Sequence, residues 1–311
     1  MKLAIRYLTT FTYDADVNES HNALRARPAE TGTQQVLTHR TDIDPVATVT
    51  SHIDYWGTWV ELFGVVGRHT RLTVLSDSTV ETQIPLEPDS APMWDLATTG
   101  QEFFEYVSPS PHVEWNEEAA AIGRDIIAGS TDPVAACNEV MTEAASHLTY
   151  ESGSTRVGIP VIELLERGRG VCQDYAHLSL AVFRSAGVPA RYVSGYLYAI
   201  DTSSGVDPKV DEIQVATHAW IEVLIPGFGW WGLDPTNRLV AGERHVKIGH
   251  GRDYEDVMPL RGVYHGDAES GGLEVAVTMS RIGLDEFTMA PQPAPPPRRS
   301  PAQPTDIQQQ Q

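Results

Sequence analysis

Residues 168–197 read GRGVCQDYAHLSLAVFRSAGVPARYVSGYL, and the fold is decided here. A Gly-Arg-Gly break precedes Cys172, and Gly187 with Pro189 beyond it marks the stop expected at the C-terminus of a helix. The residues that follow, ARYVSGYLY, alternate as a strand does. The pattern predicts a helix that begins at Cys172 and hands over to a strand. First-turn amides have no partner within their helix and carry partial positive charge, which favours thiolate over thiol on a cysteine placed there. Gly168 and Gly170 allow a backbone approach that a Cβ would obstruct. One cysteine carries little by itself, because a lone thiol is more often a small buried hydrophobe.

Downstream, a polar loop, DTSSGVDPKVDEIQ (201–214), leads to HAWIEVLI, the turn PGFG and WWGLDPTN, which together read as a β-hairpin. His218 opens its first strand and Asp234 closes its second. Singly, such residues are a strand-end histidine and a turn opener. Behind a helix-tip cysteine they acquire a joint meaning: the imidazole activates the thiol and the carboxylate orients the imidazole. The register tests this. A turn centred on Gly227 sets Asp234 opposite Trp220 with His218 one diagonal away, about 7–8 Å between backbones. An even, two-residue loop would put His218 and Asp234 on opposite faces. The pairing therefore predicts an odd-length loop or a bulge within PGFGW.

Upstream, residues 1–95 read as β. LAIRYLTTFTYD alternates through Leu3, Ile5 and Tyr7, and TRLTVLSDSTVETQI is rich in β-branched residues. Residues 96–110 end in Ser/Pro punctuation and suggest a linker or exposed crossing. Two helices are expected next. Asn116 caps the first, with Glu117 and Glu118 in its first turn and Gly129 at its stop, and Asp132-Pro133 opens the second, with Cys137 on its apolar stripe. LEVAVTMSRI (273–282) reads as one more strand. The Pro- and Gln-rich stretch from Ala290 lacks the apolar residues needed to repay ordering and is expected to be disordered. The resulting division is 1–95, a β-rich N-terminal domain; 96–289, a catalytic domain; and 290–311, a tail.

The 311 residues carry 22 Lys+Arg against 42 Asp+Glu, a formal charge of −20. Such a field repels phosphate backbones and anionic lipid, so neither a nucleic acid nor a membrane is expected as partner. Two cysteines make no disulfide framework and form no zinc-type pairing. With no signal-peptide pattern at the start and no long apolar run, the expected location is the cytoplasm.

GVCQDYAHLSLAVFRSAGVPARYVSGYL, THAWIEVLIPGFGWWGLDPTN and HVKIGHGRDYEDVMPLRGVYHG together resemble the bacterial transglutaminase-like superfamily. RYLTTFTYDADVNESHNALRARP and DYWGTWVEL resemble the β-rich N-terminal domain that accompanies it. The resemblance covers nearly the whole chain apart from the tail. It implies an α+β, papain-like cysteine-proteinase fold with a Cys-His-Asp triad: Cys172 as nucleophile, His218 as base, Asp234 as orienting carboxylate. It further implies acyl transfer on a peptide or protein amide through a thioester, with hydrolysis and transamidation both open and no cofactor. The Cys172 backbone amide is the expected first oxyanion donor. Gln173, Tyr150 and Trp220 are the candidate substrate contacts.

Two other readings compete: a non-catalytic scaffold that keeps the fold, and an acetyl-CoA-dependent arylamine acyl-transferase, for which no basic nucleotide-binding cluster is visible. Asp174 and His177 read as a first-turn acid and a satisfied core histidine. The spacing of His245, His250 and His265 matches no compact ligand motif, so no metal is expected. Asp201, Asp207, Asp211 and Glu212 read as a solvated acidic loop. Arg252 and Arg261 are weak candidates for holding a substrate carboxylate.

Overall fold

The computed structural model describes residues 1–151, 159–199, 212–269 and 271–283. The chain opens with β1 (Lys2–Leu24), β2 (Gln34–Asp44), β3 (Val49–Ile53) and β4 (Trp59–Thr82). Next come α1 (Leu96–Glu102), α2 (Glu117–Gly129), α3 (Pro133–His147), β5 (Thr149–Tyr150), α4 (Val161–Arg167), β6 (Arg169–Gly170) and α5 (Cys172–Ser185). Then follow β7 (Ala190–Leu197), β8 (Glu212–Val215), β9 (Thr217–Ile225), β10 (Gly229–Asp234) and β11 (Leu239–Val240). β12 (His245–Gly251), β13 (Leu260–Gly266) and β14 (Gly271–Arg281) complete the series.

Alternation in β1 buries Leu3, Ile5 and Tyr7 on one face and leaves Arg6 in solvent. β1 runs beside β4, while its other edge is taken by β14 in its first half and by β13 in its second. The partner changes between Tyr13 and Val17, where the β1–β4 register shifts as well. β8 then pairs with β14. The expected division at residue 95 put all of 96–289 in the second unit. The observed pairings place β8, β13 and β14 in the first sheet, because the unoccupied edge of a 23-residue strand offers its backbone groups to whatever extended chain returns to it.

The helices start where their caps lie. Asn116 accepts the Ala119 N–H (3.0 Å) at the head of α2, and Asp132 accepts that of Ala135 (2.9 Å) at the head of α3. Residues 96–110, expected as a crossing, hold α1 and a 3₁₀ turn, Phe104–Tyr106. What orders them is tertiary: Phe103 and Tyr106 pack edge-on to Trp230. The tail from Ala290 and the acidic loop at Asp201, Asp207 and Asp211 lie outside the described residues. No helix among the described residues is long and apolar enough to cross a membrane.

The second sheet has the order β11-β10-β9-β7-β12. Ile221, Val223, Trp231 and Leu233 face α5, whose residues Gln173–Arg184 are all buried. Burying Leu178, Leu180 and Phe183 there contributes about 1.5–3 kcal/mol each. Tyr196, Tyr198, Val246 and Ile248 join the core of the first sheet instead. β7 thus lends side chains to both cores, and β12 packs its Val246 and Ile248 against the first sheet. The opposite face of β9 carries His218, Trp220 and Glu222, set by the period of two.

Candidate active site

α5 begins at Cys172, as its flanks predict. Gly168 ends α4 in the left-handed region (φ 62°), and Gly170 lets the Asp174 carboxyl fold back, since a Cβ at 170 would lie 2.7 Å from that of Asp174. The Asp174 carboxylate accepts the Val171 N–H (2.8 Å) and so fixes the first turn. Cys172 is partly exposed, whereas Cys137 is fully buried on α3 with its thiol pushed up by burial. His177, also buried, accepts the Tyr254 N–H through Nε2 (3.3 Å).

The β9–β10 hairpin has Gly229 opposite Ile225, leaving the three-residue loop Pro226–Phe228 between the strands. Gly227 and Gly229 take up the turn with φ of 76° and 105°. Leu233 faces Ile221, so the odd loop puts His218 and Asp234 on one face, and their side chains meet: His218 Nε2 donates to Asp234 Oδ2 at 2.8 Å. Nε2 being committed, Nδ1 is the ring nitrogen left for Cys172, whose sulfur at the tip of α5 is near enough to raise the His218 imidazole.

Asp234 is fully buried and collects four donors. His218, His245 (3.1 Å) and the Asn237 side chain (2.7 Å) converge on Oδ2, and the Asn237 backbone N–H reaches Oδ1 (3.1 Å). Burial alone would raise its pKa, but these donors hold the carboxyl well below the usual range. Burial likewise opposes charge on His218, and the hydrogen bonds and charges of Asp234 and Cys172 outweigh it, raising the imidazole to about 9. A raised histidine stabilises the fold fully below its unfolded pKa of about 6.5, and this is lost as pH rises through the folded value. Parent protein should therefore lose up to about 3 kcal/mol relative to His218→Gln between pH 6.5 and 9.5. Thermal unfolding across that range checks it, and parallel curves for the two proteins would disprove it.

Trp220 stacks on His218 (6.1 Å between centroids) and is buried. Its ring fits because residue 195, opposite His218, is glycine: a Cβ there would lie 2.5 Å from the Trp220 ring and 2.1 Å from the Val246 carbonyl oxygen. Behind Trp220 lies a cavity of about 360 Å³ lined by Trp230, Phe228, Lys247 and Thr31 among others. Gln173 is buried beside Cys172 on α5, and Tyr150, 56% exposed, has its phenol raised by burial and by the nearby Cys172. Cys172, His218 and Asp234 are thus brought together, with Gln173, Tyr150 and Trp220 around them.

Other candidates are placed elsewhere. Arg252 forms a two-pronged ion pair with Asp256 and Arg261 pairs with Glu255, so both guanidiniums already have carboxylates of their own chain. His245, His250 and His265 do not converge among the described residues. His250 accepts from Arg191 (3.0 Å) and is lowered to about 3 by burial, Lys247 and Arg191, while His265 sits on β13 in the first sheet. The ligand-type atoms that do cluster, within 4.8 Å, belong to His218, Asp234 and His245. Here His245 Nδ1 accepts the Gly242 N–H (3.1 Å), so the ring proton sits on Nε2 and points at Asp234 as a donor. His245, Asn237 and Gly195 are the site residues that sequence reasoning missed. Asn237 closes the DPTN turn, a short-range signal that was open to use.

Residues 120–235 match the transglutaminase-like superfamily, and residues 3–81 match the bacterial transglutaminase-like N-terminal region. An uncharacterized protein of Mycobacterium leprae is 37% identical over 290 residues, covering 90% of this chain and 99% of that one. A protein-glutamine gamma-glutamyltransferase of Pseudomonas aeruginosa is 38% identical over 81 residues, 26% of this chain and 12% of its own length. In fold, the chain is similar to a Cytophaga hutchinsonii protein described as a candidate cysteine protease, with a TM-score of 0.70, 19% identity, and coverage of 90% of this chain and 97% of that one. With its core and N-terminal region both matched and a relative aligned along nearly its full length, the chain belongs to the transglutaminase-like superfamily.

Proposed function

We propose that this protein is a cysteine-dependent acyl-transfer enzyme acting on peptide or isopeptide amides. The observation that carries the reading is the His218–Asp234 hydrogen bond, with the Cys172 sulfur at the tip of α5 close enough to help raise the His218 imidazole. The Cys172 sulfur attacks the amide carbonyl carbon, and the oxyanion that forms is met by the Cys172 N–H, a first-turn amide with no intrahelical partner. The tetrahedral intermediate collapses, the C–N bond breaks, and His218 gives its proton to the departing amine, leaving a thioester. Water or a second amine then attacks that carbonyl, His218 takes the incoming proton, and the Cys172 sulfur departs. Asp234 holds the imidazole in the tautomer that both steps need. Gln173 and Tyr150 flank the carbonyl and contact substrate.

The relationship to a gamma-glutamyltransferase makes glutamine side chains a natural acyl donor to try, along with ordinary and isopeptide bonds. Two free thiols suit a reducing compartment, and the cytoplasm is the location proposed. The test is a screen of peptide, glutamine and isopeptide libraries with purified protein, with and without a primary amine, beside Cys172→Ala. Cleavage or amine incorporation by the parent and not by the variant is expected. Activity retained by Cys172→Ala, or none in the parent over the whole set, overturns the proposal.

A further inference from the structure

We propose that His245 is a positioning residue for the Asp234–His218 pair, a role that rests on the triad reading above and goes beyond it. Three side-chain donors meet at Asp234 Oδ2, and two of them are histidines. His245 approaches from β12, across the sheet from Asn237, so the carboxylate is gripped from two sides and its rotation about χ2 is blocked. The donor is specified by the backbone: with the Gly242 N–H on Nδ1, only Nε2 carries the proton. The ring is held in turn. Its side chain is 5% exposed, and Trp220, which stacks on His218, meets it edge-on at 5.2 Å.

β12 itself is tied to the first sheet's side of the molecule. Gln34 accepts the Lys247 N–H (2.9 Å) and donates to the Lys247 carbonyl (2.8 Å). His245 therefore links the placement of Asp234 to the N-terminal region through β12. Sharing Oδ2 has an electrostatic consequence as well. The His245 N–H withdraws part of the carboxylate's charge from His218, so removing it leaves a more basic Asp234 and a more strongly held imidazolium.

The experiment reads the pH profile of iodoacetamide alkylation at Cys172, which requires no known substrate, in the parent, His245→Leu, His245→Gln and His218→Gln. A glutamine can offer its carbonyl to Gly242 and its amide to Asp234, and a leucine can do neither. The alkaline limb should move up by at least half a pH unit in His245→Leu and return toward the parent in His245→Gln. Lys247, brought to about 8 by burial against the pull of Glu222, titrates in the same window, and the difference between the two His245 variants removes its contribution. If His245→Leu does not fold, His245→Asn, too short to span both partners, takes its place. A parental profile in His245→Leu, or equal shifts in the leucine and glutamine variants, overturns the role of His245 while an altered His218→Gln leaves the triad standing. An unchanged profile in His218→Gln overturns the triad and the role of His245 with it.

Discussion

Asp234→Asn lowers turnover by about 10³–10⁴-fold while the protein still folds. The reasoning is a count of donors. Asp234 accepts three side-chain N–H groups on Oδ2 and one backbone N–H on Oδ1, all out of water. An amide has one oxygen. With that oxygen at the Oδ2 position, its NH₂ confronts the Asn237 N–H, donor against donor. With the amide flipped, the NH₂ confronts His218, His245 and the Asn237 side chain together. The first arrangement is the cheaper, costing about 1–3 kcal/mol of stability for the buried donor left unsatisfied. The catalytic loss is larger, because a neutral amide no longer stabilises the imidazolium, and the pKa of His218 falls from about 9 toward its ordinary value. Steady-state kinetics on any substrate found by the library screen, with urea unfolding alongside, checks both parts. Turnover within tenfold of the parent would mean that Asp234 does not orient His218.

Much of this site was legible because its determinants are local. A glycine break, a helix stop and a hairpin loop each act within a few residues, so α5 could be placed with Cys172 at its tip and the odd register of β9–β10 inferred. The caps at Asn116 and Asp132 belong to the same class. Contacts between distant segments were not legible. His245 reaches Asp234 from eleven positions away on a strand separated from β10 by two others in the sheet, and no local pattern announces that pairing. Gly195 is one glycine in an apparently ordinary strand until Trp220 folds over it. The return of β13 and β14 to β1 is the largest case: LEVAVTMSRI is visibly a strand, but alternation says nothing about which edge it joins. The ordering of residues 96–110 on Trp230 failed to show for the same reason.

Iodoacetamide should label Cys172 at least about 10³-fold faster than Cys137, and labelling should stop all acyl transfer. The contrast follows from access as much as from electrostatics. Cys137 has no exposed surface and a thiol pushed up by burial, so it reacts only when α3 opens or the chain unfolds. With ordinary domain stability of about 5–15 kcal/mol, an opening that approaches global unfolding suppresses the reaction by 10³ or more. Cys172 meets solvent at the head of α5, where the first-turn amides aim partial positive charge at the sulfur and His218 lies close by. His218→Ala should slow Cys172 labelling near neutral pH and leave Cys137 unchanged, and Cys172→Ala should remove the fast phase altogether. Peptide mapping by mass spectrometry after timed labelling distinguishes the two thiols. Equal slow labelling of both, or fast labelling that is indifferent to His218→Ala, would leave the sulfur without its partner and the acyl-transfer reading without a nucleophile.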